Sequence, residues 1–91
     1  MYQIDRLDEV NATLRVLLYL NENKEAKLTS IIKGIPVGQK AVYTALSALT
    51  ALKLVEEKTS KDFPFTRNFI LTQKGKEIAK HLTEIERILA K

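Results

Sequence analysis

Cysteine is absent from the 91 residues, and so is tryptophan. The first absence removes disulfides, thiolate zinc sites and cysteine nucleophiles together, and it fits an intracellular protein; the expected setting is the cytoplasm. His81 is the only histidine. A metal site would need further ligands at fixed spacing, and Glu77 or Glu84 one helical turn away makes a weak set. His81 is therefore expected at the surface or in a subunit seam, with no metal. Three glycines, two prolines and no low-complexity tract leave no linker or internal repeat to mark. No apolar run approaches the ~20 residues of a membrane span, and the start from Met1 to Arg6 lacks the basic flank and apolar segment of a secretory signal. No Gly-rich loop follows a strand, and the lone histidine has no convincing serine partner. Neither enzymatic activity nor a cofactor is expected.

What is present is an ordinary soluble composition, 45% hydrophobic and 29% charged, too apolar for a disordered chain. Ninety-one residues predict a single domain over 1–91, with a modest core that is marginal for a stable monomer. The net charge of +4 is unevenly spread. From Lys33 to Lys76 there are eight Lys or Arg against three acids, whereas residues 1–32 carry four bases and five acids, and 77–91 carry three of each. A basic excess confined to the middle of the chain points to a polyanionic partner.

The periodicity predicts a mostly helical α+β fold. Val10, Leu14, Leu17, Leu18 and Tyr19 recur at helical spacing, so a first helix is expected over about 8–22, capped by Asp8 or by the earlier Asp5. Ala26 to Leu28 form a short connector able to add an edge strand. Thr29 is the expected cap of a second helix, Ser30 to about Lys33, with Ile31 and Ile32 inward; Gly34 permits its stop and Pro36 forbids its continuation. A third helix, about 39–52, has Val42, Ala45, Leu46, Leu49 and Leu52 on one face and Gln39, Lys40, Tyr43, Thr44, Ser47 and Thr50 on the other. Leu54 and Val55 open a strand, Ser60 to Thr66 is the turn, and Arg67 to Leu71 returns with Phe69 and Leu71 on one face. Thr72 caps a last helix over about 73–90, where Ile78, Leu82, Ile85 and Leu89 form a 4-3-4 stripe.

Helix, tight turn, helix and β-hairpin is the order of a winged helix-turn-helix, which lays its second helix in a DNA groove with the hairpin beside it. The helix-turn-helix falls at about 29–52 and the wing at about 54–72. The outer face of the third helix carries no acid, which suits approach to phosphates. Gln39 can pair with adenine, Lys40 can reach guanine or phosphate, and Thr44 or Ser47 can meet thymine methyls or phosphates. Tyr43 can donate to phosphate or pack sideways against the wing. Lys58, Lys61 and Arg67 lie on the hairpin, where phosphate contact is the better reading. Phe63 and Phe65 flank Pro64 at the tip; they can wedge near the minor groove, or one can fold back to anchor the hairpin.

The run from Val42 through Leu46 and Leu49 to Lys53, Leu54 and Val55 resembles the recognition-helix-to-wing signature of MarR-type and related small bacterial or archaeal winged-helix regulators. The run from Leu71 through Thr72, Lys74 and Gly75 to Lys76 resembles that family's entry to the helix after the wing. Together they span about residues 29–82. The resemblance implies a homodimeric regulator of transcription on double-stranded DNA. It matches Gln39, Lys40, Tyr43, Thr44 and Ser47 to the groove-facing side of the recognition helix, and Lys58, Lys61 and Arg67 to the wing. Lys53 stands where the family commonly carries glycine, so a non-glycine residue must make the helix stop there in a left-handed conformation. Gly38 replaces the usual serine or threonine cap.

The apolar stripe of Ile78, Leu82, Ile85 and Leu89, with Ile88, exceeds what a small core absorbs and predicts a two-fold dimer along the last helix. Tyr2, Ile4 and Leu7 can join that seam. The alternative function is a winged-helix module for protein–protein assembly, or an architectural binder with weak, nonspecific nucleic-acid affinity. No effector, target sequence or sign of regulation is legible.

Overall fold

The computed structural model describes residues 2–8, 10, 12–59 and 66–91. Its elements are α1 (Asp5–Asp8), α2 (Thr13–Asn23), β1 (Glu25–Lys27), α3 (Leu28–Gly34), α4 (Gln39–Ala51), β2 (Val55–Thr59), β3 (Arg67–Leu71) and α5 (Gln73–Leu89). The mostly helical α+β winged helix-turn-helix expected from the sequence is the observed fold.

The single long first helix is corrected. Asp8 ends a separate four-residue helix instead of capping a longer one, and α2 begins only at Thr13. Ala12 stands between them in the left-handed region, φ 73°. The buried Thr13 hydroxyl turns back to donate to the Leu7 carbonyl at 2.6 Å, which satisfies a polar group that would otherwise be costly inside and holds Leu7 against the core. Leu14, counted in the apolar stripe, is 42% exposed, because the inward face of α2 runs through Thr13, Val16, Leu17 and Leu20.

Thr29 does not cap the second helix. The helix starts at Leu28 with Lys27 in the cap position and no side-chain cap bond. The cause is the sheet: Lys27 is still extended because β1 pairs with β3, so the helix follows the strand without a spacer. Ile31 is buried and Ile32 half-buried, as expected. Gly34 ends α3 without adopting positive φ. Its role is space, since a Cβ there would sit 2.4 Å from the Tyr19 ring.

α4 buries Val42, Ala45, Leu46 and Leu49 and leaves Leu52 half-buried. It closes in a Schellman arrangement: Lys53 N–H donates to the Thr50 carbonyl at 3.0 Å and Leu54 N–H to the Leu49 carbonyl at 2.9 Å. Lys53 takes φ 63° to allow this, the left-handed conformation expected of it. Leu54 and Val55 then enter the core.

The sheet order is β1-β3-β2, antiparallel throughout. Because side chains alternate between faces, the register sorts the wing. Val55 opposite Leu71, and Phe69 between Ala26 and Glu57, lie on the inner face, as does Arg67 opposite Thr59. The outer face holds a row of Glu25, Ile70 and Glu56 and a row of Lys27, Asn68 and Lys58. α2 packs on α4, α5 and β3, which makes it the central helix of the core.

Thr72 caps α5 as expected, its Oγ1 accepting from Gly75 N–H at 3.0 Å. α5 lies on α2, where Asn21 Nδ2 donates to Thr83 Oγ1 at 3.2 Å. Ala79 is buried, and Ile78 and Leu82 are half-buried against the same core.

Candidate nucleic-acid interface

The outward side of α4 is set by which of its residues the core takes. With Val42, Ala45, Leu46 and Leu49 buried, Gln39, Lys40, Tyr43, Thr44 and Ser47 are all exposed along the opposite side. No acid occurs anywhere in the helix. Gly38 precedes it in an extended conformation without a capping side chain, so the first-turn N–H groups of α4 are left for solvent or an anion.

Two intrahelical bonds order this face. Gln39 Nε2 donates to the Tyr43 hydroxyl at 2.9 Å. That leaves the Gln39 carbonyl and one amide hydrogen free, the pair that a bidentate adenine contact uses. The Thr44 hydroxyl donates to the Lys40 carbonyl at 3.0 Å, leaving its oxygen free to accept.

Lys58 and Arg67 do not share a face of the wing. Register puts Lys58 on the outer face of the sheet and Arg67 on the inner face, so the hairpin separates them. Arg67 is also not a free cation. Its Nε donates to Glu57 Oε2 at 2.5 Å and its Nη2 to Oε1 at 3.1 Å, and its guanidinium lies 5.5 Å from the Phe69 ring centroid. The hydrogen bonds from Arg67 hold the Glu57 carboxyl below the usual carboxylate range, and the same bonds raise the Arg67 guanidinium. Composition and charge pattern do not single out Glu57. The available signal was parity: in a hairpin that pairs 57 with 69, odd-numbered Glu57 and Arg67 share a face. Lys61, Phe63, Pro64 and Phe65 lie outside the described residues.

Between α4 and the inner face of the wing is a cleft lined by Tyr43, Ser47, Thr50, Glu57 and Arg67 among others. The exposed face of α4 and the inner face of the wing therefore meet along one line. The stripe on α5 divides: Ile78 and Leu82 serve the chain's own core, while Ile85, Ile88 and Leu89 are 51%, 61% and 75% exposed. Tyr2 and Ile4 are exposed as well, whereas Leu7 is buried. His81 is exposed on α5. Among the described residues no three of His, Cys, Asp and Glu gather where they could hold a metal, and no helix is long and apolar enough to cross a membrane.

This geometry is that of a winged helix-turn-helix, and solved structures share the fold. A protein from Porphyromonas gingivalis W83, described as a MarR-family transcriptional regulator, superposes with a TM-score of 0.85 at 18% identity, over 97% of this chain and 85% of its own. A transcriptional regulator homologue from Pyrococcus horikoshii OT3 gives 0.74 at 17% identity over 94% of each chain. FabT of Streptococcus pneumoniae, solved in complex with DNA, gives 0.73 at 17% identity over 88% of this chain and 56% of FabT. At such identities the likeness is one of fold. The chain matches no protein-family model and no curated protein.

Proposed function

We propose that this chain is a sequence-specific, double-stranded DNA-binding regulator of transcription that acts as a homodimer, with residues 1–91 working as one winged-helix domain. The observation that carries the reading is α4: an acid-free, exposed row of Gln39, Lys40, Tyr43, Thr44 and Ser47 beside a wing, with the basic excess of the chain in the same segment. The shared fold with FabT, solved with DNA, supports it. α4 enters the major groove, and the wing at about residues 58–67 meets the backbone or the minor groove. Affinity comes chiefly from lysine and arginine contacts to phosphates, and sequence choice from the row on α4. No catalytic role is assigned, and the cytoplasm is the matching compartment.

The exposed distal half of α5 supports dimerisation. Ile85, Ile88 and Leu89 form an apolar surface that a second copy would cover, with Tyr2 and Ile4 as further contributors. A two-fold dimer would present two α4 helices ~34 Å apart and select a palindromic site. Selection from random duplexes with the purified protein tests this, followed by salt titration on the winner and a scrambled duplex. A palindromic winner bound far more tightly than the scrambled duplex at ~150 mM salt supports the reading. Equal, steeply salt-dependent binding to both would reduce it to an architectural binder. No binding would turn the search to a protein partner.

A further inference from the structure

The contact between Glu57 and Arg67 leaves a particular part of the guanidinium unused. Glu57 takes Nε and one hydrogen of Nη2. An arginine has five N–H donors in a rigid plane, so among the described residues both hydrogens of Nη1 and the second hydrogen of Nη2 meet no partner. These form the end-on fork that grips two oxygens at once. The Phe69 ring beneath the guanidinium and the two bonds to Glu57 together fix the plane of that fork. Arg67 borders the cleft that Tyr43 and Ser47 close from the α4 side. When a helix occupies the major groove and a hairpin the neighbouring minor groove, one sugar-phosphate strand runs between them. Groups between helix and hairpin therefore face the backbone.

Resting on the DNA-binding reading, we propose that Glu57 is a positioning residue for DNA, which aims the Arg67 fork at one backbone phosphate straddled by α4 and the wing and cancels most of that arginine's long-range attraction. A free arginine pulls on any duplex. An arginine whose charge is already balanced 2.5 Å away by a carboxylate gains only where its fork meets an oxygen in line, which requires α4 to be in register with its site. The pair thus gives up nonspecific affinity and adds discrimination, although neither residue touches a base. Ser47 and Tyr43, on the other wall of the cleft, supply hydroxyls to the same phosphate.

The test is binding of wild type, Glu57→Gln, Glu57→Asp and Arg67→Ala to the selected duplex and to a scrambled one, across a series of salt concentrations. Glu57→Gln keeps the shape and removes the charge at an exposed position, so the fold survives. It is expected to tighten binding to the scrambled duplex by about fivefold, to steepen the slope of log K against log salt by about 0.9, one further phosphate neutralised, and to narrow the ratio between the two duplexes. Glu57→Asp, which restores the charge, should return the slope to the wild-type value. Arg67→Ala should weaken the selected duplex more than the scrambled one. A Glu57→Gln slope and ratio equal to wild type would overturn the proposal while leaving DNA binding intact, as would equal weakening on both duplexes. Failure of the wild type to bind any duplex would remove the DNA-binding reading and this one together.

Discussion

Thr72 and Lys53 are joined across nineteen positions of sequence: the Thr72 hydroxyl donates to the Lys53 carbonyl at 2.7 Å. The same oxygen accepts from Gly75 N–H at 3.0 Å, and Thr72 N–H donates to the Leu54 carbonyl at 3.0 Å. One residue thus caps α5 and ties its start to the turn that ends α4. The orientation of α5 relative to α4 is set at this junction.

The junction explains Gly75. A Cβ at this position would lie 2.0 Å from the Leu54 carbonyl oxygen, a backbone atom that cannot step aside. Gly75→Ala is expected to cost about 2–3 kcal/mol, in the range of forced overpacking, visible as a lower midpoint in denaturant unfolding. An unchanged midpoint would mean that α5 can move away from the turn at no cost.

Lys53 gives the opposite expectation. It holds a left-handed conformation, φ 63°, that a side chain makes unfavourable. Lys53→Gly should relieve that strain and stabilise the protein by about 0.5–1 kcal/mol, raising the thermal midpoint with no change in the packing of Leu54. A loss of stability would show that the lysine side chain itself contributes more than the strain costs.

Ile85→Glu tests the proposed dimer seam without touching the core, because Ile85 is 51% exposed whereas Leu82 is half-buried against the core. Sedimentation should report monomer, with the far-ultraviolet circular dichroism unchanged. A persistent dimer would move the seam away from the distal half of α5. Leu82→Glu is expected to disturb folding as well, so it separates the two roles of the stripe.

The ion pair on the wing carries a pH dependence of known sign. Arg67 holds the Glu57 carboxyl below its ordinary value, so the pair is fully present above the ~4.3 of a free glutamate and is lost as pH falls through the depressed value. Carboxyl chemical shifts of Glu57 should titrate below the ordinary glutamate range in wild type, and the midpoint should move up in Arg67→Ala, where the hydrogen bonds that lower it are gone. Equal midpoints would mean the pair does not persist in solution.

Much of this protein was legible from local rules. The buried face of α4, the bounds of β3 and the Thr72 cap follow from side-chain spacing or from capping chemistry within a few residues, and the left-handed Lys53 from the family resemblance, which has glycine at that place. The amino-acid order by itself therefore determined the helix-turn-helix, the hairpin and the row of groups offered on α4. Tertiary structure alone decided the rest. The break at Ala12 goes with a Thr13 hydroxyl that reaches back six residues to Leu7. The separation of Lys58 from Arg67, and the union of Arg67 with Glu57, depend on which residue of β2 faces which residue of β3. The stripe on α5 divides along its length, so Ile78 and Leu82 pack against the core while Ile85 and Leu89 stay open. Periodicity says that a face is apolar; only the packing of distant segments decides how far along its length that face is covered, because burial is a property of the pair of surfaces and not of either one.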